Sequence, residues 1–175
     1  MERIQKLIVN VANSYLGQQE IRGNRGFIDE VFEQKMRTVG WDTGQAWCAY
    51  FAELVWKEAY AHHNSFRIKD LNELFSGSAV RTYANFRKSN LFSAENIPVP
   101  GALVIWQKYN GEEPDWRGHI GIVVSEPDID GKYWAIEGNT NSAGGREGIE
   151  VAKKLNIVGA NRGSLREKGF IIPTD

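Results

Sequence analysis

With 175 residues, of which 42% are hydrophobic and 25% charged, the chain has the size and balance of a single compact soluble domain that can bury a core without metals or disulfides. A formal net charge of −1 argues against a nucleic-acid partner, which would leave a basic footprint. The lone cysteine excludes an internal disulfide and a Cys-rich zinc site.

The chain opens without the uninterrupted apolar stretch of a secretory signal, and no apolar run approaches the roughly 20 residues of a membrane span. The expectation is a protein made in the cytoplasm, without membrane insertion, that needs another route to any extracellular substrate. Ile4, Leu7, Ile8, Val11, Tyr15 and Leu16 recur at three- and four-residue spacings, so residues 2–16 read as an amphipathic helix ended by Gly17. Residues 18–45 form a polar, Gly-containing excursion with a helical piece near 27–37. Residues 46–61 are strongly helical: Cys48, Phe51, Ala52, Val55 and Ala59 share one face, and Asn64-Ser65 ends the helix. A short helix is predicted over 78–88.

The pattern changes at Pro98-Val99-Pro100-Gly101. Leu103–Trp106 reads as a strand, a loop with Gly111, Pro114 and Gly118 follows, and His119–Val124 is the second strand. Turn chemistry at Pro127–Gly131 leads to a third strand, Tyr133–Glu137, and then to a Gly/Asn-rich loop through Gly148. Residues 149–151 and 169–172 add two more strands. Helices first and strands after them indicate α+β with an antiparallel sheet.

A thiol nucleophile needs a lowered pKa, a base, a group that orients the base, and donors for an oxyanion. Cys48 falls in the first turn of its helix, after Gly44-Gln45-Ala46-Trp47, where unpaired backbone N–H groups and the helix dipole favour thiolate; the competing reading is a small buried core residue. His119 opens a strand directly after Gly118, as a base at a sheet edge or as surface decoration. His62 and His63 lie about four turns along the helix that starts at Cys48 and are poor partners for it. Glu137 and Asn139, two apart at a strand end, share one face, and either can fix the second imidazole nitrogen; alone, Glu-Gly-Asn is equally a turn. Trp41, Trp47, Trp106 and Trp116 are candidates to line a groove, or core residues. Within residues 151–169, Lys153, Lys154, Arg162, Arg166 and Lys168 stand against Glu167 alone, a solvated face or a contact for an anionic polymer.

Four segments together carry a family resemblance. Gly44-Gln45-Ala46-Trp47-Cys48-Ala49-Tyr50-Phe51 resembles the cysteine helix start of the CHAP amidase/peptidase family, within the papain-like NlpC/P60 superfamily. Pro100–Trp106 resembles its first core strand, Gly118–Val123 its histidine strand, and Ile136–Thr140 its Glu-x-Asn element, in the family's order across about 41–140. Glu20 and Gly23-Asn24-Arg25-Gly26 look more loosely like the lead-in of phage-type members. The resemblance implies a papain-like fold in which residues 1–175 form one catalytic domain, with a helical lead-in over 1–40 and the cysteine helix packed on an antiparallel sheet. It implies peptidoglycan as substrate, cut at a peptide crosslink or at the muramoyl–alanine amide, at the cell wall after export or lysis. Cys48 is then the nucleophile, His119 the base, Glu137 its orienter and Asn139 a further polar support, with Gln45 and Trp47 at the oxyanion and substrate site. Asp29, Glu30 and Asp42 are too scattered for the calcium loop of some members, so no metal or cofactor is expected, and a monomer is favoured. The rival readings are a papain-like acyl transferase or deamidase acting on proteins, and a catalytically silent wall-binding module.

Overall fold

A computed structural model describes residues 1–140 and 148–175. Among them are five helices, α1 (Arg3–Ser14), α2 (Glu30–Thr38), α3 (Cys48–His63), α4 (Arg67–Leu74) and α5 (Ala79–Ser89). Six strands follow: β1 (Ala94–Glu95), β2 (Leu103–Asn110), β3 (Glu113–Val123), β4 (Lys132–Thr140), β5 (Glu150–Ile157) and β6 (Leu165–Ile171). They form one antiparallel sheet in the order β1-β6-β2-β3-β4-β5, the α+β, papain-like arrangement expected. No helix among the described residues is long and apolar enough to cross a membrane. Of the Gly/Asn-rich loop expected from after Glu137 through Gly148, residues 138–140 continue β4 and residues 141–147 lie outside the described residues.

Alternation divides the sheet into two apolar faces. Leu103, Ile105, Ile120, Ile122 and Ile136 join the helices in the larger core, whereas Val104, Trp106, Val123, Tyr133, Ala135 and Phe170 make a second cluster. The helical layer is built largely from aromatic rings. Trp56 contacts Tyr60, Phe75, Phe86 and Phe92 at centroid separations of 5.7–6.0 Å, which fastens α3 to the α4–α5 region.

Several stretches differ from the sequence expectation: β1 is an added strand, β5 extends past the expected 149–151, and β6 begins before the expected 169–172. Residues 107–118, expected as a loop, continue β2 and β3 as a ribbon out to the Asn110–Glu113 pair. Polar side chains hold it: Gln107 Nε2 donates to the Asp115 carbonyl at 2.8 Å, and the Asp115 carboxylate accepts from Asn110 and Arg117. A register shift between Gln107 and Tyr109 accommodates the ribbon, which also contains Pro114. Helix α4 is not expected from the sequence, because it buries only Leu71 and Leu74 and so carries little periodic signal.

Candidate active site

The start of α3 is fixed by its preceding residue. Trp47 is fully buried, packs edge-on against Phe27 and Phe51 at 5.0 and 6.3 Å, and donates its indole N–H to the buried Glu20 carboxylate. The polar excursion before the helix thus supplies the socket in which the helix start is seated. On the other side the first turn lies directly on β4: a Cβ on Gly138 would stand 2.6 Å from Trp47 Cζ3 and 2.8 Å from Phe51 Cβ. The glycine between Glu137 and Asn139 is what lets the helix approach the strand. Trp47 makes no side-chain cap, and no acidic residue occupies the first turn, so the leading N–H groups keep their donor capacity.

Cys48 is 8% exposed and lines a cleft of about 860 Å³ together with His119 and Asn139. His119 stands directly across from Trp106 in the β2–β3 register, and the two rings stack at 5.9 Å with 28° between their planes. His119 Nε2 is 2.9 Å from Glu137 Oε2, so Nδ1 is the ring nitrogen left uncommitted to the carboxylate. Burial disfavours the charged ring, yet the Cys48 sulfur and the Glu137 carboxylate outweigh it and push the His119 pKa up to about 9.

Glu137 has no exposed side-chain surface. Burial alone would raise its pKa, but His119 and Arg162 hold the carboxyl below its ordinary value. Room for the side chain comes from Gly121, where a Cβ would stand 2.8 Å from Glu137 Cγ. Arg162 grips the carboxylate with both terminal nitrogens, Nη1 to Oε1 at 2.8 Å and Nη2 to Oε2 at 3.1 Å, the two-pronged geometry that suits a carboxylate. Its guanidinium also lies 4.6 Å from the centroid of Trp106. A tight turn aims it: Arg162 and Leu165 exchange both backbone hydrogen bonds, at 2.8 and 3.0 Å. Arg162 entered the sequence reading only as one member of a basic stretch, because nothing in spacing ties a residue of the β5–β6 connection to a carboxylate on β4.

Folding therefore brings Cys48, His119 and Glu137 together, with Arg162 added. Asn139, in left-handed backbone at φ 52°, borders the cleft but makes no hydrogen bond with His119. Trp47 and Gln45 are not brought into the cleft. Trp47 belongs to the core, and the exposed Gln45 turns its Oε1 back to accept from the Asp42 N–H at 2.9 Å. Of the groove candidates, Trp41, Trp47 and Trp106 are buried at 2% exposure or less, and the exposed Trp116 is not among the residues that line the cleft. The tryptophan that does line it is Trp134. His63, at the far end of α3, pairs with Asp175. Asp29 caps α2, and Asp42 pairs with Arg37.

A family model described as CHAP domain matches residues 40–139, from just before α3 to the Asn139 that ends the Glu-Gly-Asn element. No curated protein and no solved structure matches the chain.

Proposed function

The chain belongs to the CHAP domain family, whose members are typically cysteine- and histidine-dependent amidohydrolases or peptidases of peptidoglycan, and from that premise we propose that it hydrolyses an amide of cell-wall peptide through Cys48, His119 and Glu137. One observation carries the reading. A thiol at an uncapped helix start and an imidazole on a distant strand meet in one cleft, and the ring's other nitrogen is held by a buried carboxylate.

In the proposed cycle the Cys48 sulfur, as thiolate beside protonated His119, attacks the amide carbonyl carbon. The oxyanion that develops is met by backbone N–H groups of the first turn of α3, which have no partner within the helix. The carbon–nitrogen bond breaks as His119 Nδ1 gives its proton to the departing amine, leaving a thioester on Cys48. His119 then takes a proton from water, whose oxygen attacks the thioester; the carbon–sulfur bond breaks, the acid product leaves, and the Cys48 thiolate is restored beside protonated His119. Glu137 keeps the ring oriented and offsets its positive charge throughout. Asn139, at the cleft wall, is a polar support for the bound peptide. The bond cut is a stem-peptide or crosslink amide, or the amide joining the stem to muramic acid, and the site of action is the cell wall.

The test is the Cys48→Ala variant against purified sacculi. It is expected to match the wild type in circular dichroism and thermal midpoint and to release no soluble fragments. Clearance of sacculi at the wild-type rate would overturn the nucleophile assignment.

A further inference from the structure

Basic residues crowd the cleft wall. Lys108 comes from β2, Lys153 and Lys154 from β5, and Arg162 from the β5–β6 connection, whereas no aspartate or glutamate is among the described residues that line it. The nearby acid, Glu137, is held by Arg162 and His119, which offsets the Arg162 charge and leaves Lys108 and Lys153 as the cations that matter for a ligand. The chain as a whole is almost neutral, so this is a local accumulation of one sign within a concave wall, the arrangement that concentrates an oppositely charged ligand. Beside it is an apolar shelf. Trp134 and Leu155, directly paired between β4 and β5, are 41% and 52% exposed, and the Lys153 ammonium lies 5.3 Å from the Trp134 ring centroid. Other members of the basic stretch are occupied elsewhere: Arg166 pairs with Glu112, and Lys168 donates to Gln107.

We propose that this cleft selects an anionic peptide, an acyl donor whose carboxylates near the scissile amide are free rather than amidated. Lys108 and Lys153 are its electrostatic contacts, and the Trp134–Leu155 shelf takes the apolar portion of the chain. The two lysines stand on strands that flank the His119 and Glu137 strands in the sheet order, so carboxylates on both sides of the reacting amide have a partner. Identifying the donor as cell-wall peptide rests on the proposed function; the charge selectivity does not.

The experiment separates the two. Fluorescently labelled stem-type peptides, one with free carboxylates and one with every carboxylate converted to the carboxamide, are titrated into Cys48→Ala protein at low and high salt. The free acid is expected to bind at least about tenfold more tightly, one decade for a lost charged contact, and the gap is expected to narrow with salt. The Lys108→Gln/Lys153→Gln double variant is expected to lose most of the discrimination, while Lys69→Gln, on the exposed side of α4, leaves it intact. Equal affinities, no binding of either peptide, or a preference that survives the double variant would overturn the proposal. In parallel, the wild type is assayed on sacculi before and after carbodiimide amidation. Discrimination in binding with no release from either preparation would fail the hydrolase reading while sustaining the selectivity; equal release from both would sink the selectivity while leaving the hydrolase.

Discussion

Replacing Arg162 with methionine keeps most of the side chain's length and removes its charge. Glu137 would then stay fully buried with His119 as its remaining partner. Breaking a buried pair from one side costs about 3–5 kcal/mol, and because the Arg162 side chain retains 28% exposure the lower end, about 3 kcal/mol, is appropriate. At about 2–4 °C per kcal/mol for a chain of this size, the thermal midpoint should fall by about 6–12 °C. The pH dependence should change as well. Glu137's carboxyl is held below its ordinary value, so its contribution to stability is present above the unfolded pKa and lost as pH falls through the folded one. Without Arg162 the folded value rises, and acid destabilisation should begin at higher pH. Thermal melts followed by circular dichroism from pH 3 to 8 read both effects, and Arg162→Lys, which restores charge without the two-pronged grip, should fall between wild type and Arg162→Met. A midpoint within 2 °C of wild type, with an unchanged acid limb, would refute the clamp.

Because His119 is pushed up to about 9, the stability it gains from Cys48 and Glu137 is fully present below its unfolded value of about 6.5 and is lost as pH rises through about 9. The wild-type midpoint should therefore decline between pH 7 and 10, and that decline should flatten in His119→Ala melts. Gly121→Ala forces a methyl group against Glu137 Cγ; a stability loss of about 1–3 kcal/mol is expected from overpacking, together with a fall in kcat seen in release assays on sacculi. Trp47→Phe removes the indole donor to the buried Glu20 and should cost about 1–3 kcal/mol in urea melts with little change in KM, since Trp47 lies outside the cleft.

Periodicity and local chemistry revealed the parts of the molecule whose signal is confined to a segment. The apolar face from Cys48 to Ala59 and the β-forming runs at Leu103 and His119 correspond to elements of the fold, and the turn at Pro127–Gly131 links β3 to β4. The β2–β3 ribbon leaves no apolar alternation in the sequence because Gln107, Asp115 and Arg117 stabilise it through polar bonds. Tryptophans cannot be sorted into wall and core from sequence. Trp47 and Trp106 are buried by rings and strands distant in the chain, while Trp134 is left open by its place opposite Leu155 near the sheet edge. Arg162 lies beyond residues 40–139 matched by the family, and the turn with Leu165 and the Trp106 ring hold it toward Glu137. That the three glycines 118, 121 and 138 each meet a close neighbour is likewise a property of packing between strands and helix.

The sharpest test of the sulfur's role uses the fact that the chain has one cysteine. Native protein is treated with iodoacetamide near neutral pH, and the extent of carboxamidomethylation at Cys48, measured by intact mass, is plotted against residual release of fragments from sacculi. Activity is expected to fall in direct proportion to modification, and soluble stem peptide to slow both together. Fully alkylated protein that still digests sacculi would rule out Cys48 as the nucleophile.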